Sequence, residues 1–161
     1  MIKILKLPKI FLQQYKNKFH FAIIGKTAAE IIYKQVDSKK EKMALLSWKN
    51  SPKGRILKSD TIIAKNYLEE PEIEKLERTV SSYFDYIERM IEACTTFTME
   101  KLAESINEFL QFNKYEILDG KGNISHAQAE KKAFTEYDKF NKTQKIDSDF
   151  EKQIKKFESK K

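Results

Sequence analysis

The chain has 161 residues, enough for one domain with one sizeable core, and 34 % of them are charged against 40 % apolar. Four Gly and three Pro are too few for the turns of a β-sandwich or barrel, and the charge load suits amphipathic helices with solvated outer faces better than a buried parallel sheet. A single cysteine, Cys94, excludes an internal disulfide, and no stretch approaches the roughly 18 apolar residues of a membrane span.

Met1 to Leu12 is apolar, but Lys3, Lys6 and Lys9 interrupt it and Pro8 breaks it. It lacks the unbroken apolar core of a signal peptide, so the expected location is the cytoplasm. Residues 11–20 predict a short helix, with Phe11, Tyr15 and Phe19 on one face. Gly25 breaks that pattern. Thr27-Ala-Ala-Glu30 is a capping box, opening a helix to about Val36 with Ala28, Ile31 and Ile32 inward.

Residues 37–58 are the least regular part. Asn50-Ser-Pro-Lys-Gly54 is a turn cluster, flanked by Ala44 to Trp48 and Arg55 to Lys58. The pattern fits either a short hairpin over 44–58 or an ordered loop. Ser59 or Asp60 is positioned to cap a helix from Thr61 to Leu68. Pro71 suits the first turn of a long helix running to about Cys94, and Glu69, Glu70, Glu72 and Glu74 complement its positive end. Its apolar side reads Ile73, Leu76, Val80, Tyr83, Ile87, Met90, Cys94, a heptad seam. It should pack on the next helix or on a second copy of the chain.

Thr98 is positioned to cap that next helix, with Met99, Leu102, Ile106, Phe109 and Asn113 on one face, Ile117 following, and Gly120-Lys-Gly122 as its end. Ser125-His-Ala-Gln128 is a second capping box, before inward Ala129, Ala133, Tyr137 and Phe140. Ser148-Asp-Phe-Glu151 is a candidate cap for a last segment. The expected architecture is all-α, a compact bundle of five or more helices. Residues 1–141 form one domain, and the basic segment 142–161 is loosely attached.

The formal net charge is +7, and its distribution is uneven. Residues 1–60 carry 14 Lys/Arg and 4 Asp/Glu; residues 61–141 carry 10 and 16. Two readings stay open: the basic front meets an anionic partner, or it docks on the chain's own acidic helices.

Gly25-Lys26-Thr27 before a helix resembles a phosphate loop, but His20 stands where that pattern needs its first glycine. Lys26 and the first N–H groups of the Thr27 helix are candidates for holding one phosphate or carboxylate; the alternative is that Gly25 only turns the chain and Thr27 only caps. His20 and His126 lack metal-ligand spacing, so no metal and no cofactor are expected. The cluster of Trp48, Lys49, Lys53, Arg55, Lys58 and Asp60 joins one aromatic ring to several cations. It fits a base-stacking, phosphate-binding loop, or a Trp48 core plug with cations around it.

These residues also carry a family resemblance. Asn17-Lys-Phe-His-Phe-Ala22, Gly25-Lys-Thr-Ala-Ala-Glu30, Ser47-Trp-Lys49, Lys58-Ser-Asp60, Ala64-Lys-Asn-Tyr-Leu68, Tyr83-Phe-Asp-Tyr86 and Phe109-Leu-Gln-Phe-Asn113 resemble, in order, segments of the RhuM family of bacterial virulence-associated proteins. The resemblance covers roughly Phe11 to Asn141. It departs at Met43-Ala-Leu-Leu46, where the family commonly has Met-Gly-Leu-Thr, and at Lys101-Leu102, where it often has Asp-Trp. Longer members carry an amino-terminal region resembling a DNA-binding domain, so this chain looks like the carboxy-terminal domain. The resemblance implies no settled activity. The leading expectation is a non-enzymatic interaction domain with a basic face, for nucleic acid, a protein partner or a second copy, and with no membrane role. The alternative is an enzyme acting on a phosphate-bearing substrate through His20, Lys26, Trp48, Arg55, Lys58 and Asp60. The full set of candidate ligand-binding residues is His20, Lys26, Thr27, Trp48, Lys49, Lys53, Arg55, Lys58 and Asp60.

Overall fold

In the computed structural model, residues 9–93, 98–144 and 157 are described, with side chains from residue 14 onward. Among them stand five α-helices: α1 (Lys9–Ile24), α2 (Ala28–Gln35), α3 (Glu70–Ala93), α4 (Met99–Phe112) and α5 (His126–Asn141). The side chain of Phe11, the seam position Cys94, and the candidate cap at Ser148–Glu151 lie outside the described residues. None of the described helices is long and apolar enough to cross a membrane.

Two apolar clusters hold the helices. One joins α1, α3 and α4: Phe19, Leu76, Tyr83, Ile87, Ile106, Phe109 and Leu110 are buried together. Its centre is aromatic. Phe19 and Phe109 each lie 5.5 Å from the Tyr83 ring, and the Tyr15 ring lies tilted against Phe19 at 4.8 Å. The Tyr83 hydroxyl donates to Ser105 Oγ at 2.9 Å, and Ser105 donates to the Leu102 carbonyl at 2.6 Å, so no polar atom of this relay is left unpaired. The heptad seam thus faces α1 as well as α4. The second cluster joins α2, α5 and the 43–68 segment through Ile31, Ile32, Val36, Met43, Trp48, Ile56, Ala129, Ala133 and Tyr137.

Both predicted capping boxes form. Glu30 N–H donates to Thr27 Oγ1 at 3.3 Å and Thr27 N–H to Glu30 Oε2 at 2.9 Å; Ser125 and Gln128 repeat the pattern at 3.1 and 2.8 Å. Thr98 caps α4 through Lys101 N–H at 3.3 Å.

One alternative is decided and two expectations are corrected. Of the two readings of residues 44–58, the hairpin gives way to the ordered loop; there is no strand among the described residues. The backbone of Ile56 finds a side chain instead of a partner strand: its N–H donates to Gln144 Oε1 at 2.8 Å and its carbonyl accepts from Gln144 Nε2 at 3.2 Å. In place of an α-helix over Thr61–Leu68 there are two 3-10 turns, Lys58–Ile62 and Ala64–Tyr67. Asp60 sits inside the first, accepting Leu57 N–H at 2.8 Å, rather than capping a helix. Finally, α4 stops at Phe112, well before Gly120. Lys114, at φ +61°, takes the left-handed position, with Tyr115 N–H on the Leu110 carbonyl and Lys114 N–H on that of Gln111, both at 2.9 Å. This is a Schellman ending with lysine where glycine is usual.

A second left-handed run lies in the irregular segment. Lys42, Met43 and Ala44 have φ of 52°, 55° and 65°. The turn drives Met43 fully into the core. Each non-glycine residue in this region costs roughly 1–2 kcal/mol, which core burial of Met43 offsets.

Candidate functional site

The segment from 45 to 68 is irregular but tightly tied. Asp60 is 3 % exposed, and its carboxylate accepts the N–H groups of Leu57 and, at 3.3 Å, Lys49. Trp48 is buried too, its indole N–H donating to the Gly54 carbonyl at 2.9 Å, with Lys42 Nζ 5.5 Å from the ring centroid. Asn66 braces the turn from the other side, donating to the Asp60 carbonyl at 2.9 Å while its own carbonyl accepts Leu46 N–H at 2.8 Å. Trp48 is therefore a core plug, closed to a stacking base, and Asp60 is a backbone clamp.

The cations around them divide into two groups. Arg55 donates to Asn141 Oδ1 at 2.9 Å. Lys58 pairs with Asp138 at 3.1 Å and lies over the Phe134 ring at 4.8 Å. Both face α5, so part of the basic front docks on the chain itself. Lys49 and Lys53 are exposed and have no side-chain partner among the described residues.

His20, Lys26 and Thr27 share no cavity with Trp48, Arg55, Lys58 or Asp60. Thr27 is wholly buried in its cap. His20 Nδ1 bonds the Lys16 carbonyl at 2.8 Å; burial holds its pKa below the ordinary value, and the bond to that carbonyl opposes this. His20 and His126 line a mostly apolar groove of about 660 Å³ between α1, α2, α3 and residues 62–65, walled by Ile32, Ile62, Leu76 and Val80. Tyr15 also lines it, and its hydroxyl is closed off from water without a hydrogen-bond partner among the described residues. Lys26 lines a different cleft of about 530 Å³, where α1 and α2 meet the loop after α4. Phe21, Tyr33, Lys34 and Lys121 line it as well, none of them singled out by the sequence. Neither cavity is lined by Trp48, Arg55, Lys58 or Asp60.

A family model described as the virulence protein RhuM family matches residues 4–148. The chain belongs to the RhuM family. No curated protein and no solved structure matched it in the comparisons. The family assignment gives the Ala44 departure a physical meaning. RhuM proteins commonly have glycine there, and the backbone at this position is left-handed, with φ of 65°. At the other departure Leu102, half-buried on α4, accepts the Ser105 hydroxyl through its carbonyl. Its side chain supplies apolar packing to the α1/α3/α4 cluster.

Proposed function

We propose that this RhuM domain is a non-enzymatic, cytoplasmic interaction module that binds an anionic partner, nucleic acid in particular, through exposed cations of the 39–53 segment. The reading treats residues 1–141 as one module, with Gln144 just beyond it tied to the Ile56 backbone. The observation that carries it is the state of Lys49 and Lys53. Both stand exposed and unpartnered among the described residues, on a loop that Trp48 and Asp60 hold rigid. Lys39, Lys40 and Lys42 are exposed on the same irregular stretch. Cations preset on a fixed loop meet phosphates without a large ordering cost. Binding is favoured over chemistry because Asp60 spends its carboxylate on two peptide N–H groups, while His20 lines a groove that Asp60 does not share.

The test is a salt titration of binding to short single- and double-stranded DNA and RNA. Lys49→Ala with Lys53→Ala should flatten the log–log salt slope by about one unit per lost contact. Arg55→Ala with Lys58→Ala should lower the melting temperature more than it changes that slope, since both side chains are held by α5. Absence of binding at low salt would overturn the proposal.

A further inference from the structure

Aromatic rings and free cations do coincide in this protein, though not at Trp48. They meet in the 530 Å³ cleft between the α1–α2 junction and the loop after α4. We infer that this cleft is a nucleotide site, with Lys26, Lys34 and Lys121 meeting the phosphate and Phe21 or Tyr33 meeting the base.

The cleft is within the range of small-ligand pockets, roughly 300–1,000 Å³. Its three ammonium groups have no partner among the described residues, and Lys34 and Lys121 are exposed. Two carboxylates also line it, but they differ in state. Glu30 gives one oxygen to Thr27 N–H and the other to Asn123 N–H, at 2.9 and 2.8 Å, so much of its charge is spent on peptide donors. Asp119 is exposed and unpartnered among the described residues. It is an acceptor for the N–H groups of a base, and also the main charge opposing a bare phosphate.

The walls are preset. Tyr33 is 39 % exposed, with Lys132 Nζ over its ring at 4.6 Å. The opposite wall is held close by Gly122, at φ +84°, where an added Cβ would fall 2.7 Å from Thr27 Cγ2. Stacking on an aromatic ring contributes about 1–3 kcal/mol per base. Lysines alone would hold any phosphate; the rings and Asp119 select one that carries a base. No hydrolysis follows from this arrangement. The site is separate from the Lys49–Lys53 face and stands or falls without it.

The probes are ADP, AMP, adenosine, inorganic phosphate and a 5′-phosphorylated octanucleotide, followed by calorimetry on the whole chain. ADP should bind more tightly than inorganic phosphate or adenosine. Lys34→Ala with Lys121→Ala, both exposed, should weaken ADP at least tenfold with unchanged helicity. Tyr33→Ala should weaken ADP but not phosphate. Asp119→Asn should tighten phosphate severalfold. If the octanucleotide displaces ADP at lower concentration, the ligand is the end of a strand; if ADP binds better, it is a free nucleotide. No ADP binding at millimolar concentration, ADP and phosphate binding alike, or an unaffected Lys34/Lys121 variant would overturn the inference. The polymer salt titration of the Lys49–Lys53 face is read independently.

Discussion

Glu30 joins two parts of the chain that are 93 positions apart: its Oε1 accepts the Asn123 N–H at 2.8 Å. Its Oε2 closes the Thr27 capping box, so one carboxylate both starts α2 and fastens the loop after α4. Glu30→Ala should therefore cost more than a cap alone, about 1.5–2.5 kcal/mol, since a cap contributes about 1 and the solvent-exposed tie to Asn123 is lost as well. Gly122→Ala should loosen the same junction through its contact with Thr27. Urea denaturation of both variants checks this, and a cost below about 1 kcal/mol for Glu30→Ala would show that the Asn123 tie adds nothing.

Ile87 is 5 % exposed between α1 and α4. Ile87→Asp should cost roughly 3 kcal/mol or more, because an unpaired carboxylate would enter apolar surroundings. A melting temperature close to that of the parent chain would mean that the seam does not carry the fold.

Ala44 and Lys114 adopt φ of 65° and 61°, a region where a Cβ is unfavourable. Ala44→Gly and Lys114→Gly should each stabilise by roughly 0.5–1 kcal/mol: the relieved backbone strain exceeds the entropy that glycine adds to the unfolded chain. The two sites share no partner, so the double variant should be additive. Lower stability of either variant in denaturant melts would contradict the strain argument.

Glu136 Oε2 accepts the Ser38 N–H at 2.8 Å, and hydrogen bonds from Ser38, then Lys139, hold its pKa near about 2 against 4.5 in a model peptide. The folded pKa is depressed, so the unfolded chain binds more protons. The contribution is present above pH 4.5 and is lost as pH falls toward 2. Glu136→Gln should flatten the stability profile across that window and leave its shape near neutrality unchanged. Parallel profiles for the two proteins would exclude the Ser38 bond as a source of acid sensitivity.

Local rules made much of this fold legible. Thr27, Thr98 and Ser125 mark helix starts through bonds spanning three residues, and the α3 seam shows its inward face as a simple period. What stayed hidden depended on distant or atypical partners. The hairpin and loop readings of 44–58 differ by the identity of the group that pairs with Ile56, and that group is Gln144, 88 residues away. The end of α4 was missed because glycine was the expected marker and Lys114 occupies the position. At the candidate site, composition identified cations but not their state: Arg55 and Lys49 read alike until Asn141 takes up one and not the other. Lys26 beside Gly25 gave the one early signal of the cleft; Tyr33 and Lys34, on the exposed side of α2, carried no motif that marked them. Lys121 offered none until the loop after α4 brought it there.

The chain has one tryptophan, and it is buried with its indole N–H on the Gly54 carbonyl. That makes Trp48 an optical probe already installed in the irregular segment. Its emission should be blue-shifted in the native protein, and iodide should quench it poorly. Because α3 and α4 have no tryptophan, the signal reports only on the half of the molecule built around α2 and α5. Comparing it with helix circular dichroism during denaturation tells whether the two apolar clusters melt as one unit or in sequence.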